Sequence, residues 1–131
     1  MADTAVLTSA FTVIGGKLIV DLDCDGGEAT DNVTGATSGS IYIVEINNEA
    51  NSTAVYLKIR DHAEAVVGTS TANGAGTPHL MFYAPAYTKI SYLNIDGHAY
   101  AAGVSMWCTT AVAAGTTTNP SNDVIVKLVA S

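Results

Sequence analysis

The sequence predicts an all-β protein, a single-domain antiparallel β-sandwich of jelly-roll type, and three observations predict it. Val, Ile and Thr supply 38 of the 131 residues against 7 Leu, and β-branched side chains are stiff at χ1 and pack well on a pleated surface. Short apolar runs, alternating or continuous, recur between clusters of Gly, Asn, Asp, Ser and Pro, the punctuation of a sandwich. No stretch carries the 3.6-residue period of a helix. The helix formers at 111–115 (AVAAG) are too few to stand alone.

Eight strands follow in order. The first, 6–14, joins 17–23 through Gly15-Gly16, whose freedom at positive φ suits a tight primed turn. In 17–23, parity puts Leu18, Val20, Leu22 and Cys24 on one face and Asp21 and Asp23 on the solvent face. A polar turn, 47–52, separates 40–47 from 54–60, where Val55, Leu57 and Ile59 oppose Lys58 and Arg60 in a half-buried pattern. A Gly/Thr/Ala loop, 68–77, leads to 79–84, and Ala84-Pro85-Ala86 opens the turn to 89–95. Strand 104–110 and the loop 115–122 precede the last strand, 123–129.

Two strands break the one-wet-face rule. Residues 40–46 (SIYIVEI) and 123–129 (DVIVKLV) are apolar on both sides, with Ile41 and Ile43 set against Tyr42, Val44 and Ile46. A strand apolar on both faces needs cover on both, from either central burial or a subunit interface, and the interface reading places Ile41, Ile43, Ile125 and Val129 between copies of a homo-oligomer. Residues 1–8, small and lightly charged, suit an arm ordered by a neighbour.

Charge excludes several function classes. Twelve carboxylates face five cations, Lys17, Lys58, Arg60, Lys89 and Lys127, for a net charge of −7. Nucleic-acid binding needs a basic patch to neutralise phosphates, and an anionic membrane surface repels the chain for the same reason. No apolar run reaches the ~18–20 residues of a membrane helix, and residues 1–4 have neither the positive region nor the apolar stretch of a secretory signal. Cys24 and Cys108 are too few for a disulfide framework and read as two buried thiols of a chain made in a reducing cytosol.

The most suggestive motif is Asp21, Asp23 and Asp25 followed by Gly26, the first half of a calcium loop. Its second half fails, because Asn32 stands where the bidentate Glu belongs, although Glu28 and Asp31 follow. A solvated strand end is the preferred reading, with no metal and no cofactor. His62, His79 and His98 lack metal-ligand spacing, and both cysteines sit in apolar strands, which raise a thiol pKa and blunt its reactivity. No enzyme is expected. Tyr56, Tyr83, Tyr87, Tyr92, Tyr100 and Trp107 could stack on sugar rings as a carbohydrate-binding module, but rings on strands more often pack a core. Asn32 and Asn51 begin glycosylation sequons that mean nothing without secretion.

One succession of segments carries a resemblance. A polar turn leads into V-Y-L-K-I-R-D at 55–61, then come Pro78 to Ala86 (PHLMFYAPA), Gly97 to Ser105 (GHAYAAGVS) and a valine-rich closing strand. This resembles small virion structural proteins of tailed bacteriophages, many of them marine, in which a V-Y-x-K-x-x-D strand precedes P-x-x-x-x-x-V-P-A and G-x-x-F-x-x-G-(L/V)-S. It spans roughly 41–129. Ala84 replaces the usual Val, Tyr100 replaces the usual Phe, and the acidic 21–31 segment has no counterpart. The resemblance implies a role in the particle, and with the net charge of −7 favouring the outside, the expectation is a capsid decoration (cement) protein on the outer head surface, assembled in the host cytoplasm, with the major capsid protein or other virion proteins as partners. A neck or tail component is the alternative, and no catalytic residues carry over.

Overall fold

The computed structural model describes residues 5–8, 16–26, 38–64, 76–113 and 118–131. Its strands are β1 (Ala5–Thr8), β2 (Lys17–Asp21), β3 (Gly39–Asn47), β4 (Val55–Asp61), β5 (Leu80–Ala84), β6 (Lys89–Tyr100), β7 (Val104–Thr109) and β8 (Ile125–Ala130). All pairings are antiparallel, in a five-stranded sheet of order β1-β2-β8-β3-β6 and a three-stranded sheet of order β5-β4-β7. The chain changes sheet after β3, β5, β6 and β7. With β2-β8-β3-β6 facing β7-β4-β5, this is the jelly-roll strand order, short of one strand in the second sheet among the described residues.

The core lies between the sheets. Ile19, Ile41, Val44, Ile46, Val126 and Leu128 meet Val55, Leu57, Ile59, Val104, Met106 and Cys108. Strand β4 follows its alternation, with Val55, Leu57 and Ile59 buried as expected. Strand β7 does not alternate, because all six of its residues are buried. Val104, Met106 and Cys108 face the core, while Trp107 sits opposite Lys58 on the outer face. The chain after β7 folds back over that face: Lys58 Nζ donates to Ala113 O at 2.8 Å and Thr110 N–H to Thr118 O at 3.0 Å.

Strand β3 departs most from simple parity. Ile41 lies opposite Ala130 and Ile43 opposite Val129, so one extra residue, Tyr42, is bulged out of β3. On the other side Ile41 faces His98 and Ile43 faces Leu93, so β6 makes an excursion over 94–97. The bulge flips the parity of the strand. Ile41, Val44 and Ile46 all point inward, and Ile43 and Glu45 point out. Ile41, expected beside Ile43 at an interface, is core and only 3% exposed.

Two further expectations are corrected. In β2 the inward face is Ile19 and Asp21, while Leu18 and Val20 turn outward, because register with the inward Leu128 and Val126 of β8 decides the face. The β1–β2 register sets Thr8 opposite Leu18, whereas a two-residue turn at Gly15-Gly16 would set Ile14 opposite Lys17. Residues 9–15 lie outside the described residues, as do 1–4 of the expected arm.

The outer face of the large sheet is thereby ordered in rows. Leu18, Val129, Ile43 and Leu93 lie in register across β2, β8, β3 and β6. Val20, Lys127, Glu45 and Ser91 form the next row. The bulge makes a discriminating prediction. Ile41→Asp puts a carboxylate into the core at a cost of several kcal/mol and should abolish folding, whereas Ile43→Asp should keep the wild-type circular dichroism spectrum. Two variants that fold equally well would mean that β3 is not bulged.

Candidate functional site

The motif residues converge on backbone groups. Asp61, at the end of β4, accepts N–H bonds from Ala101 at 2.9 Å, Ala102 at 2.7 Å and Gly103 at 3.3 Å, tying β4 to the β6–β7 turn. Desolvation pushes its carboxyl up, but the three amides outweigh that, with His79 adding to them, and hold it below the ordinary carboxylate range. Asp61 N–H donates to His79 Nδ1 at 3.0 Å. A neutral His79 therefore carries its proton on Nε2.

The opposite end is knotted by asparagines. Asn48 Nδ2 donates to Thr53 O at 2.9 Å and Pro85 O at 3.0 Å, and Asn51 Nδ2 donates to Asn48 Oδ1 at 3.0 Å and Asn122 O at 3.1 Å. Asn122 N–H returns a bond to Asn51 Oδ1 at 2.8 Å. Asn48 and Asn51 are fully buried, so the sequon at Asn51 is a piece of scaffold. Composition had marked 47–52 only as a polar turn. The burial of its asparagines depends on partners as far away as Asn122, which no local pattern reveals.

Two adjoining clefts open between β3, β5 and β6. One, of about 260 Å³, lies beneath the 94–97 excursion and is lined by Ile41, Tyr42, Phe82, Tyr92 and Asn94 among others. The second, of about 320 Å³, brings His79 and His98 together with Asp61. Both are lined by Ile41, Leu80 and His98. Asp61 is occupied by amides and His79 Nδ1 by an N–H, and among the described residues the lining of the second cleft has no Ser, Thr or Cys to serve as a nucleophile. His62 Nδ1 is engaged by the Glu64 amide at 3.1 Å.

The acidic segment is not a solvated strand end. Asp21 is 1% exposed; its Oδ1 accepts from Asp23 N–H at 3.0 Å and its Oδ2 has no partner among the described residues. Burial raises its pKa, against the pull of the Asp23 amide and the Cys24 thiol. Burial and a hydrogen bond shared with Asp123 push the Asp23 carboxyl up to about 6. Among the described residues no three His, Cys, Asp or Glu side chains are grouped to hold a metal, so Asp21, Asp23 and Asp25 do not form a ligand set by themselves. Glu28 and Asp31 lie outside those residues.

The other candidates are dispersed. Cys24 and Cys108 are buried and not joined to each other, and burial drives the Cys108 thiol far above its ordinary pKa. The six rings do not share a platform. Trp107 and Tyr100 are buried, Tyr92 packs on Phe82 at 5.1 Å, Tyr56 meets Tyr83 at 5.4 Å, and Tyr83 and Tyr87 are exposed. No helix among the described residues is long and apolar enough to cross a membrane. No protein-family model matches the chain, and no curated protein or solved structure matches it either.

Both carboxylate environments predict a pH response, of opposite sign. Asp61 has a depressed folded pKa, so its contribution is present above pH ~4 and lost as pH falls further. Asp61→Ala should cost about 2 kcal/mol at pH 7, with the gap from wild type closing in acid. Equal losses at pH 7 and pH 3 would refute the clamp. For Asp23 the folded state holds a proton that the unfolded chain releases, so stability falls as pH rises from the ordinary aspartate value of 3.8 to about 6. Asp123→Asn should flatten that slope and raise Tm at pH 7.5 by roughly a few degrees, read by scanning calorimetry. An unchanged Tm and slope would show that the pair is not strained.

Proposed function

We propose that this chain is a structural protein of a tailed-bacteriophage particle, a decoration protein on the outer surface of the head that contacts the major capsid protein or another virion protein. One observation carries the reading: the residues that resemble virion proteins hold the scaffold together. Asp61 of V-Y-L-K-I-R-D grips the amides of the G-H-A-Y-A-A-G-V-S turn, and Lys58 of the same strand reaches Ala113 O. Pro85 O, in the Pro78 to Ala86 segment, accepts from Asn48. Shared residues of an enzyme meet at a reacting atom; these meet at backbone amides and carbonyls.

Two physical points agree with it. The jelly roll is an architecture used by viral capsid domains, a likeness at the level of fold alone. A net charge of −7 suits a surface turned away from packaged DNA. A neck or tail component draws the same support and differs in copy number. Quantitative mass spectrometry of purified particles of the encoding phage separates the readings. Hundreds of copies are expected for head decoration; a dozen or fewer would move the chain to a neck or tail ring, and its absence would overturn the virion role.

A further inference from the structure

We propose that the outer face of the five-stranded sheet is a two-fold interface that takes a second copy of this chain. The face is aliphatic where a monomer's outer sheet face is usually polar. Leu18, Val129, Ile43 and Leu93 form one unbroken row, and Leu93 at its end is 65% exposed. Val20 extends the apolar surface into the next row, and Ile125 lies beyond on β8.

The charges select the occupant. Within the two inner rows the only charged groups are Glu45 and Lys127, opposite in sign, side by side, with Nζ 3.9 Å from Oε1. They straddle the centre of the β2-β8-β3-β6 array, one on each central strand. A two-fold axis in the plane of the face, parallel to the strands and between β8 and β3, exchanges these two strands. The same operation exchanges β2 with β6. It sets Lys127 over Glu45 of the second copy and Val129 over Ile43 of the second copy. Leu18 then falls over Leu93 of the second copy. One operator matches apolar to apolar and cation to carboxylate, the isologous self-complementarity that a dimer of identical chains needs.

The dimensions suit a compact dimer. Four strands about 4.8 Å apart, with five and six residues in β2 and β8, give a face of roughly 20 Å by 20 Å. That is about half of the ~800 Å² each partner contributes to a standard interface, in keeping with association at micromolar concentrations. Sheets stacked by this operator keep their strands near alignment, the common packing of sandwich layers.

The test is a complementation experiment on the purified full chain. Wild type should sediment as a dimer at tens of micromolar. Glu45→Lys and Lys127→Glu should each keep the wild-type circular dichroism spectrum yet weaken the dimer by roughly a hundredfold or more, since each variant sets like charges face to face. Mixed in equal amounts, the two should restore a dimer that native mass spectrometry resolves as one chain of each kind, because every cation then meets a carboxylate. A monomeric wild type, single variants that still dimerise, or a mixture that stays monomeric would overturn the interface. No particle enters the experiment, so its outcome is separable from that of the virion role.

Discussion

The constraint on which most of this structure depends is the mismatch between β3 and its two neighbours at Tyr42. One residue bulges on the β8 side and four depart from β6, so the strand enters and leaves the mismatch with opposite parity. Without it, Ile41 could not share the core face with Val44 and Ile46. The excursion of β6 needs Gly97, which adopts φ +77°; a Cβ there would come within 2.8 Å of the Ser40 Cβ and the Tyr42 ring. The same departure leaves the cleft lined by Ile41, Tyr42 and Asn94 uncovered. Beyond the mismatch, the regular register restores the rows of the outer face. A single local irregularity thus sets the core, the cleft and the aliphatic surface together.

Around that irregularity the loops are held by directed polar contacts. Asp61 closes one end of the sandwich and the Asn48, Asn51 and Asn122 knot closes the other, each satisfying backbone groups that a loop would otherwise leave to water. Such contacts hold the two ends of the sandwich in shape. They fix the ends of strands, and they occupy the polar groups of Asp61, Asn48 and Asn51. Lys58 shows the same economy: fully buried beside Trp107, it spends its ammonium on the Ala113 carbonyl of the chain that covers it.

Much of the fold was legible in the sequence because β-branched composition and turn punctuation are local signals. Strands β4, β5 and β8 lie within two residues of where apolar runs and turn punctuation place them, and the all-β sandwich follows from the number and spacing of such runs. Face assignments failed wherever a non-local fact intervened. The parity count in 40–46 cannot see a bulge imposed by β6. In β2, alternation separates two faces without saying which one meets the core, and the pairing with β8 turned Asp21 inward. Trp107 was expected in a core and is buried, but under the returning chain on the outer face. The candidate site was less legible still, since Asp61 and Asn51 look like ordinary polar residues until their distant partners are in place.

The Glu45–Lys127 pair ties the surface to the fold. As a stabiliser of the monomer it is weak: the pair is partly exposed, 3.9 Å apart, and such contacts contribute about 0–1 kcal/mol. An isolated pair in an otherwise aliphatic strip has a stronger effect on register than on stability. An all-aliphatic face could dock with its rows offset by one position at little loss, since Ile, Leu and Val side chains interchange readily. Sliding the face by one row would press the Glu45–Lys127 pair against aliphatic side chains and strip it of water with no charge of the second copy in exchange. The pair therefore excludes the offset dockings that the aliphatic rows alone would permit. It can do so only because the bulge at Tyr42 turns Ile43 and Glu45 to the same side of β3.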